Sequence, residues 1–327
     1  MSTKSAGSRW RTAEGRQLAA EVLGRLVTGR SLSDLVSEER DGRVDLRGLP
    51  LPSPARKAQI TAGGASYQVI DGVIELRGVR WEGLDLSHAR LSNLRFSSCV
   101  IVDCLFDSAS CRDWRLWASE VRSSSFDGCD LRDSAIGTWH DGQRNTWRQV
   151  CFRGANLRGA LARGAHFEAC DFSDAVLEGV EFQQSTLRGC QFSGVLKDVA
   201  FDCRDLPGRP LCDELRNVDF SRASFEDVEF RGCRFDGVRL PQDPGLWVVP
   251  QYPRVAQRAL ELLAGDTSIE ARMLIGEWQN ELRLPGRPDS VGVFNRRDYL
   301  AAGGGTLAEL AETTVRRALD SIGADRG

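Results

Sequence analysis

The chain has 327 residues and a formal net charge of −3 at pH 7, with 27% charged and 41% hydrophobic residues. These ordinary globular proportions exclude a collagenous or low-complexity chain, and the balance of charge excludes a strongly basic nucleic-acid binder. No apolar run reaches the roughly eighteen residues of a membrane span, and the opening MSTKSAGSRWRT has no apolar core, so the cytoplasm is the expected location.

Residues 1–70 begin with a helical pattern, Leu18, Ala19, Val22, Leu23 and Leu26, for which Gly29 is the natural stop. A proline-broken stretch, LRGLPLPSP at 46–54, follows. GGASYQVIDGVIEL then leads onward, with Asp71-Gly72 as its expected turn.

From Leu76 onward a different period takes over. Apolar residues recur every fifth position through Trp81, Leu86, Leu91, Phe96, Ile101, Phe106, Cys111, Leu116, Val121, Phe126 and Leu131 to Ile136. The beat resumes at Trp147 and Phe152 and continues through ANLRG ALARG AHFEA CDFSD AVLEG VEFQQ STLRG CQFSG to Phe192. It slips by one residue to Phe201 and Leu206, then runs from Leu215 to Leu240. Helices repeat every 3.6 residues and strands every 2, so a period of five fits neither. It fits a chain that turns a corner after each word, four words closing a square coil with the centre residue inside. The position two before each centre is small, as Ala155, Ala165, Cys170 and Ala175 illustrate, and a narrow packed interior requires that.

The word as it stands in Ala155-Asn156-Leu157-Arg158-Gly159 and Cys170-Asp171-Phe172-Ser173-Asp174 resembles that of the pentapeptide-repeat proteins. The resemblance spans roughly residues 73 to 240. It implies an all-β solenoid, a right-handed quadrilateral β-helix of about eight coils with helical N- and C-terminal flanks. It also implies protein interaction, because a subset of the family protects DNA gyrase from quinolones by imitating duplex DNA. The sequence departs from the common pattern in favouring Cys and Val at small positions and in its irregular segments at 137–146 and 207–214.

After Pro241, helical patterns return at 254–264, 267–283 and 306–322. The expected organisation is therefore a helical cap and entry segment over 1–70, the repeat over 71–240, and a helical region over 241–327. The flanks either cover the open edges of the coil or, at the C-terminus, form a homodimer or recruit a partner.

Little points to catalysis. His88, His140 and His166 are far apart, and no CxxC, HExxH or phosphate-binding glycine motif is present, so no metal and no cofactor are expected. Gly303-Gly304-Gly305 reads as a linker. Glu226 and Asp227 take outer positions, where no deep pocket is expected to desolvate them. Of the ten cysteines, Cys99, Cys104, Cys129, Cys170, Cys190 and Cys233 fall on the small inward position and read as small hydrophobic thiols. A Cys170 to Cys190 disulfide is geometrically conceivable but disfavoured in a reducing compartment.

Stacking at twenty-residue spacing opposes Arg158 to Glu178 and Glu168 to Arg188, but places Asp107 with Asp127 and Arg95 with Arg115. A duplex mimic needs regular negative charge, and this surface has it only in patches. The tryptophans are the other clue. Trp114, Trp117, Trp139 and Trp147 cluster around GTWHDGQRNTW, and Trp and Arg are enriched at binding hot spots. On a purely structural reading Trp147 fills a core centre, Trp114 is tolerated locally and Trp139 folds back onto the coil; on the functional one the candidate partner-binding residues are Trp117, Trp139, His140, Asp141 and Arg144. The expected function is a non-enzymatic protein-interaction solenoid, with DNA gyrase or a related topoisomerase as the named partner. A scaffold or adaptor for another cytoplasmic complex is the alternative, and an enzyme in the C-terminal helices the remote one.

Overall fold

Through most of the repeat every fifth residue lies in the left-handed backbone region. The series runs from Gly78 and Gly83 through His88, Asn93, Ser98, Asp103, Ser108, Asp113, Ala118, Ser123 and Gly128 to Asp133, always two residues after a buried centre. A left-handed residue bends the chain sharply, so each word ends in a corner and four words make one turn. Gly, Asn and Asp accept this conformation readily, and they fill many of the corners.

The computed structural model describes residues 7–51, 57–62, 65–70, 73–209, 212–213, 215–283 and 287–324. The chain forms two compact units, Met1–Val180 and Glu181–Gly327.

In the first unit the coils stack as parallel strands in columns. One column holds Ile74–Arg77, Leu94–Ser97, Arg115–Trp117, Ala135–Gly137 and Leu161–Ala162, with Leu76 opposite Phe96 and Phe96 opposite Leu116. The other holds Arg80–Glu82, Val100–Val102, Glu120–Arg122, Thr146–Arg148 and His166–Glu168, in register from Trp81 through Ile101, Val121 and Trp147 to Phe167. The chain is a β-helix. Its axis is filled by rings: Phe106 stacks on Phe126 at 4.6 Å and Phe152 on Phe172 at 4.9 Å, offset contacts that add to area burial.

The small inward position is often polar, and then it works for the backbone. Ser119, Ser124 and Ser134 point inward, where their hydroxyls accept from the N–H groups of Cys99, Cys104 and Trp114, each at 3.1 Å. Trp114 itself is fully buried at such a position. It fits because the preceding centre residue is the small Cys111, and its indole N–H reaches the Leu91 carbonyl at 2.5 Å.

The coil begins earlier than residue 71. Arg43–Asp45 runs parallel to Leu84–Asp85, and the Leu46 and Leu51 N–H groups donate to the Asp85 and Arg90 carbonyls. Leu46 and Leu51 are buried centres five residues apart, inside the stretch whose prolines read as irregular. An antiparallel hairpin, Lys57–Ala62 with Ala65–Ile70, is inserted before the beat resumes. The turn expected at Asp71-Gly72 lies outside the described residues. Helix Ala13–Thr28 is capped by the Thr12 hydroxyl and ends at left-handed Gly29. Its Leu26 carbonyl accepts from the Trp81 indole at 3.0 Å, so the helix covers the first coils.

In the second unit, Glu181–Gln183 and Asp219–Arg231 flank Gln191–Asp202, with Phe182 opposite Phe201 and Phe201 opposite Phe230. The slip in the beat is taken immediately after Phe192: Leu196 is a fully buried centre, whereas Leu206 is only half-buried. Beyond the last words, Leu246–Val249 pairs with Gly292–Asn295, and helices Tyr252–Leu262, Ile269–Glu281 and Arg296–Ala324 follow the expected patterns. The span Arg296–Ala324 is two helices joined at Gly303 and Gly304, whose backbone is non-helical, so the triple glycine links a short helix to the one expected over 306–322. These helices share a core around Trp278, Leu274, Val255, Ala259, Leu307 and Val315, and the hairpin is tied to the coil by the Val291 N–H on the Cys233 carbonyl at 2.7 Å. They therefore cover the coil's edge and also form a small folded layer of their own.

Two predictions follow from the five-residue register. Phe182→Asp should cost about 4 kcal/mol in denaturant unfolding by burying an unpaired charge, while Gln183→Asp should stay within about 0.5 kcal/mol; equal losses would refute the register. Ala169 occupies a left-handed corner at φ 51°, so Ala169→Gly should stabilise the protein by about 0.5–1 kcal/mol.

Candidate functional site

The interruption at 137–146 is a hairpin built onto the side of a coil. Trp139–His140 pairs antiparallel with Gln143–Arg144, and both turn residues, Asp141 at φ 49° and Gly142 at φ 76°, are left-handed, the mark of a type I′ turn. Two residues join it to the coil. Gly137 approaches the neighbouring backbone so closely that a Cβ would stand 2.7 Å from the Ala162 carbonyl carbon. Asn145, fully buried, accepts from the Ser119 N–H at 3.0 Å and donates to the Leu116 carbonyl at 2.8 Å. Sequence reasoning missed Asn145, although its place two residues before the centre Trp147 marks it as inward-facing.

The hairpin sorts four of the five candidate residues into two pairs and leaves Asp141 at its tip. Trp139 is half-buried and folds back onto the coil: a Cβ on Gly164 would lie 2.3 Å from its ring, and the Arg144 guanidinium stacks over the ring at 4.1 Å. These two residues secure the hairpin. His140 and Trp117 instead line one groove of about 360 Å3 together with Val73, Glu75, Arg77 and Arg95. The groove follows from the register, because Arg77, Ser97 and Trp117 are stacked outward positions and the hairpin places His140 beside them. Asp141 stands at the exposed tip, 3.5 Å from His140.

Charges on the outer surface of the first unit are compensated locally. Arg158 pairs with Glu178, as expected. Glu168 instead engages Arg148 at 3.1 Å, and Arg188, in the second unit, engages Asp213 at 2.9 Å. The basic pair Arg95 and Arg115 shares Asp113, at 2.9 and 2.6 Å. The acidic pair is relieved too: the Asp127 N–H donates to Asp107 at 3.2 Å, and Arg153 sits 2.7 Å from the Asp127 carboxylate. Burial pushes the Asp127 carboxyl up, but its hydrogen bonds with Arg153, Cys151 and Ser125 outweigh that and hold it below the usual range.

The second unit holds a cleft of about 300 Å3, contrary to the expectation that no pocket desolvates a carboxylate. It is lined by Phe230, Tyr252, Glu277, Glu281, Asp298 and Tyr299, and Asp227 reaches it too. Burial pushes Glu281 up to about 7 against the pull of Arg204 and Arg231. Glu277 has much exposed surface, yet its carboxyl is enclosed enough to be pushed up to about 6, with Glu229 and Asp298 adding to burial and the Tyr299 hydroxyl, at 2.7 Å, opposing it. The sequence offered no sign of this cleft, since its walls come from the coil strand at Asp227–Arg231 and from a hairpin and helices well beyond it, from Val249 to Val315. The three histidines all lie in the first unit. Among the described residues, no group of three His, Cys, Asp or Glu could hold a metal ion.

The family described as pentapeptide repeats matches residues 151–195 and 214–241 in eight copies. These two stretches of the chain carry pentapeptide repeats. No curated protein matches it by sequence. Among solved structures it is similar to full-length QnrB1, a plasmid-mediated fluoroquinolone resistance protein, at 17% identity over 61% of this chain and 92% of that one, with a TM-score of 0.29. It is similar also to HetL, a pentapeptide-repeat protein involved in heterocyst differentiation regulation from the cyanobacterium Nostoc sp. strain PCC 7120, at 14% identity over 68% of this chain and 92% of that one, with a TM-score of 0.21. Among the described residues, no helix is long and apolar enough to cross a membrane.

Asn145→Ala should orphan the buried Ser119 N–H and cost about 1–3 kcal/mol in denaturant unfolding; a neutral result would show that water or a shifted backbone replaces the amide. The cleft predicts a pH dependence. Glu277 and Glu281 are raised above their unfolded values, so the folded state holds protons that the unfolded chain has released. Stability of the second unit should therefore fall as pH rises through about 5 to 7, and Glu281→Gln should flatten that slope in melts followed across the window.

Proposed function

We propose that this protein is a non-enzymatic adaptor that holds a segment of a partner protein in the groove between Trp117 and His140. The observation that carries the reading is the meeting of these two side chains: an aromatic face and an imidazole, over a rigid column of strands, form a concave site with an apolar wall and a polar rim. Arg95 and Glu75 border the site with their charges already matched, by Asp113 and Arg77, which favours a partner segment of mixed polarity over a strongly charged one.

Protection of DNA gyrase or another topoisomerase is the narrower reading. It rests on the family resemblance, and imitation of a duplex calls for uncompensated negative charge, whereas the ion pairs of the first unit support the adaptor. Self-association is a separate proposal for the C-terminal region, where Ile269 and Met273 stand exposed one turn apart on helix Ile269–Glu281.

The test is affinity capture from the native host with the full chain and with Trp117→Ala/His140→Ala, whose melting should match the parent because both side chains sit outside the core. A partner retained by the parent and lost by the double variant is expected. A partner held equally by both would remove the groove from the account. If purified protein inhibits supercoiling by gyrase at low salt and loses the effect as salt rises, the topoisomerase reading replaces the adaptor.

A further inference from the structure

Most sulfurs in the protein face backbone carbonyls of the coil. Cys99 meets Leu76 O at 3.3 Å, Cys104 meets Val102 O at 3.3 Å, and Cys170 meets Trp147 O at 3.4 Å. Two cysteines keep such a contact, Cys203 with Asp213 O at 3.8 Å and Cys212 with Ser185 O at 3.7 Å, but differ in their place in the repeat. Cys203 lies just after the centre Phe201 and Cys212 lies in the interruption, so neither occupies the small position of a word. Both are buried, at 5% and 4% exposure, and their sulfurs face each other at 2.7 Å. Cys233, on the following coil, also lies against Cys203. The two cysteines are nine positions apart, and between them Pro207, Gly208 and Arg209 are exposed.

We propose that Cys203 and Cys212 are a redox-modification site, a dithiol that a low-molecular-weight disulfide such as oxidised glutathione converts reversibly into an intramolecular disulfide. One cysteine thiolate attacks a sulfur of the small disulfide, forming a mixed disulfide and releasing one small thiolate. The second cysteine thiolate then attacks the protein-bound sulfur, closing the Cys203 to Cys212 bond and releasing the other. Two protein thiols lose two electrons and two protons, and the small disulfide gains them as two thiols. Proximity favours the second attack over hydrolysis or a second adduct. The Cys212 hydrogen bond favours the Cys203 thiolate, but contact with Cys233 and burial outweigh it and hold the thiol well above its ordinary range. The pair therefore reacts slowly, on local opening that brings the buried sulfurs to solvent.

The experiment uses the full chain, reduced and desalted, then incubated folded with oxidised glutathione. The protein is next denatured in acid for thiol titration, intact mass and peptide mapping. The expected result is a loss of two thiols from the ten in the sequence, a mass lower by two hydrogens, and a mapped peptide joining Cys203 to Cys212. Dithiothreitol should restore all ten. In Cys203→Ser and Cys212→Ser the two-hydrogen loss should vanish, leaving a glutathione adduct or no change. Ten remaining thiols under conditions that oxidise a control dithiol would overturn the proposal, as would a bridge mapped to Cys233 or a two-hydrogen loss persisting in Cys203→Ser. The map of the parent protein decides the matter even if a variant folds poorly.

Discussion

A left-handed residue every fifth position is the constraint on which the rest of the structure depends. It converts an extended chain into short strands separated by corners, and only then can residues twenty apart stack and share backbone hydrogen bonds. The cost of that conformation, about 1–2 kcal/mol for an ordinary L-residue, explains why Asp, Asn, Gly and Ser gather at the corners and why Ala118 and Ala169 stand out there. Stacking offsets the cost because every coil supplies the next with donors, acceptors and a ring or methyl to pack against.

The interior so formed is too narrow for free choice, and its polar residues show this best. An inward Ser or Asn is tolerated because the backbone N–H of the coil before it needs an acceptor, as Ser119, Ser134 and Asn145 demonstrate. Trp114 at a small position is the same rule applied to volume: its bulk is admitted where Cys111 leaves room. Burying these groups unpaired or in a wider coil would cost far more than it contributes.

Much of this was legible in the sequence, because a strict apolar beat of five has few solutions. Phe96 to Phe230 declared their burial, and Gly29 declared the end of the first helix. What escaped had physical reasons. Leu46 and Leu51 keep the beat, but Pro50 and Pro52 beside them look like loop, and a coil at the edge can accept a proline that an inner coil could not. Leu196 escaped because a four-residue word hides the centre inside an apparent gap. The groove joining Trp117 to His140 was half legible: its residues were singled out together with Trp139 and Arg144, and of the two readings open for Trp139 the hairpin's direction selects the one that folds it onto the coil. The cleft around Glu281 was not legible at all, since it depends on how the C-terminal helices pack rather than on any local pattern.

The hairpin at 139–144 shows how such a chain can change over generations. Because each word makes its own corner, insertion of a whole turn adds a layer, whereas any other length must leave the coil and return to the same point. The hairpin does the latter, with Gly137 at the exit and Asn145 at the re-entry, so Val121 still lies against Trp147. A corner is thus a place where length can drift without a shift of frame, and new surface can be tried there while the layers above and below keep their inheritance.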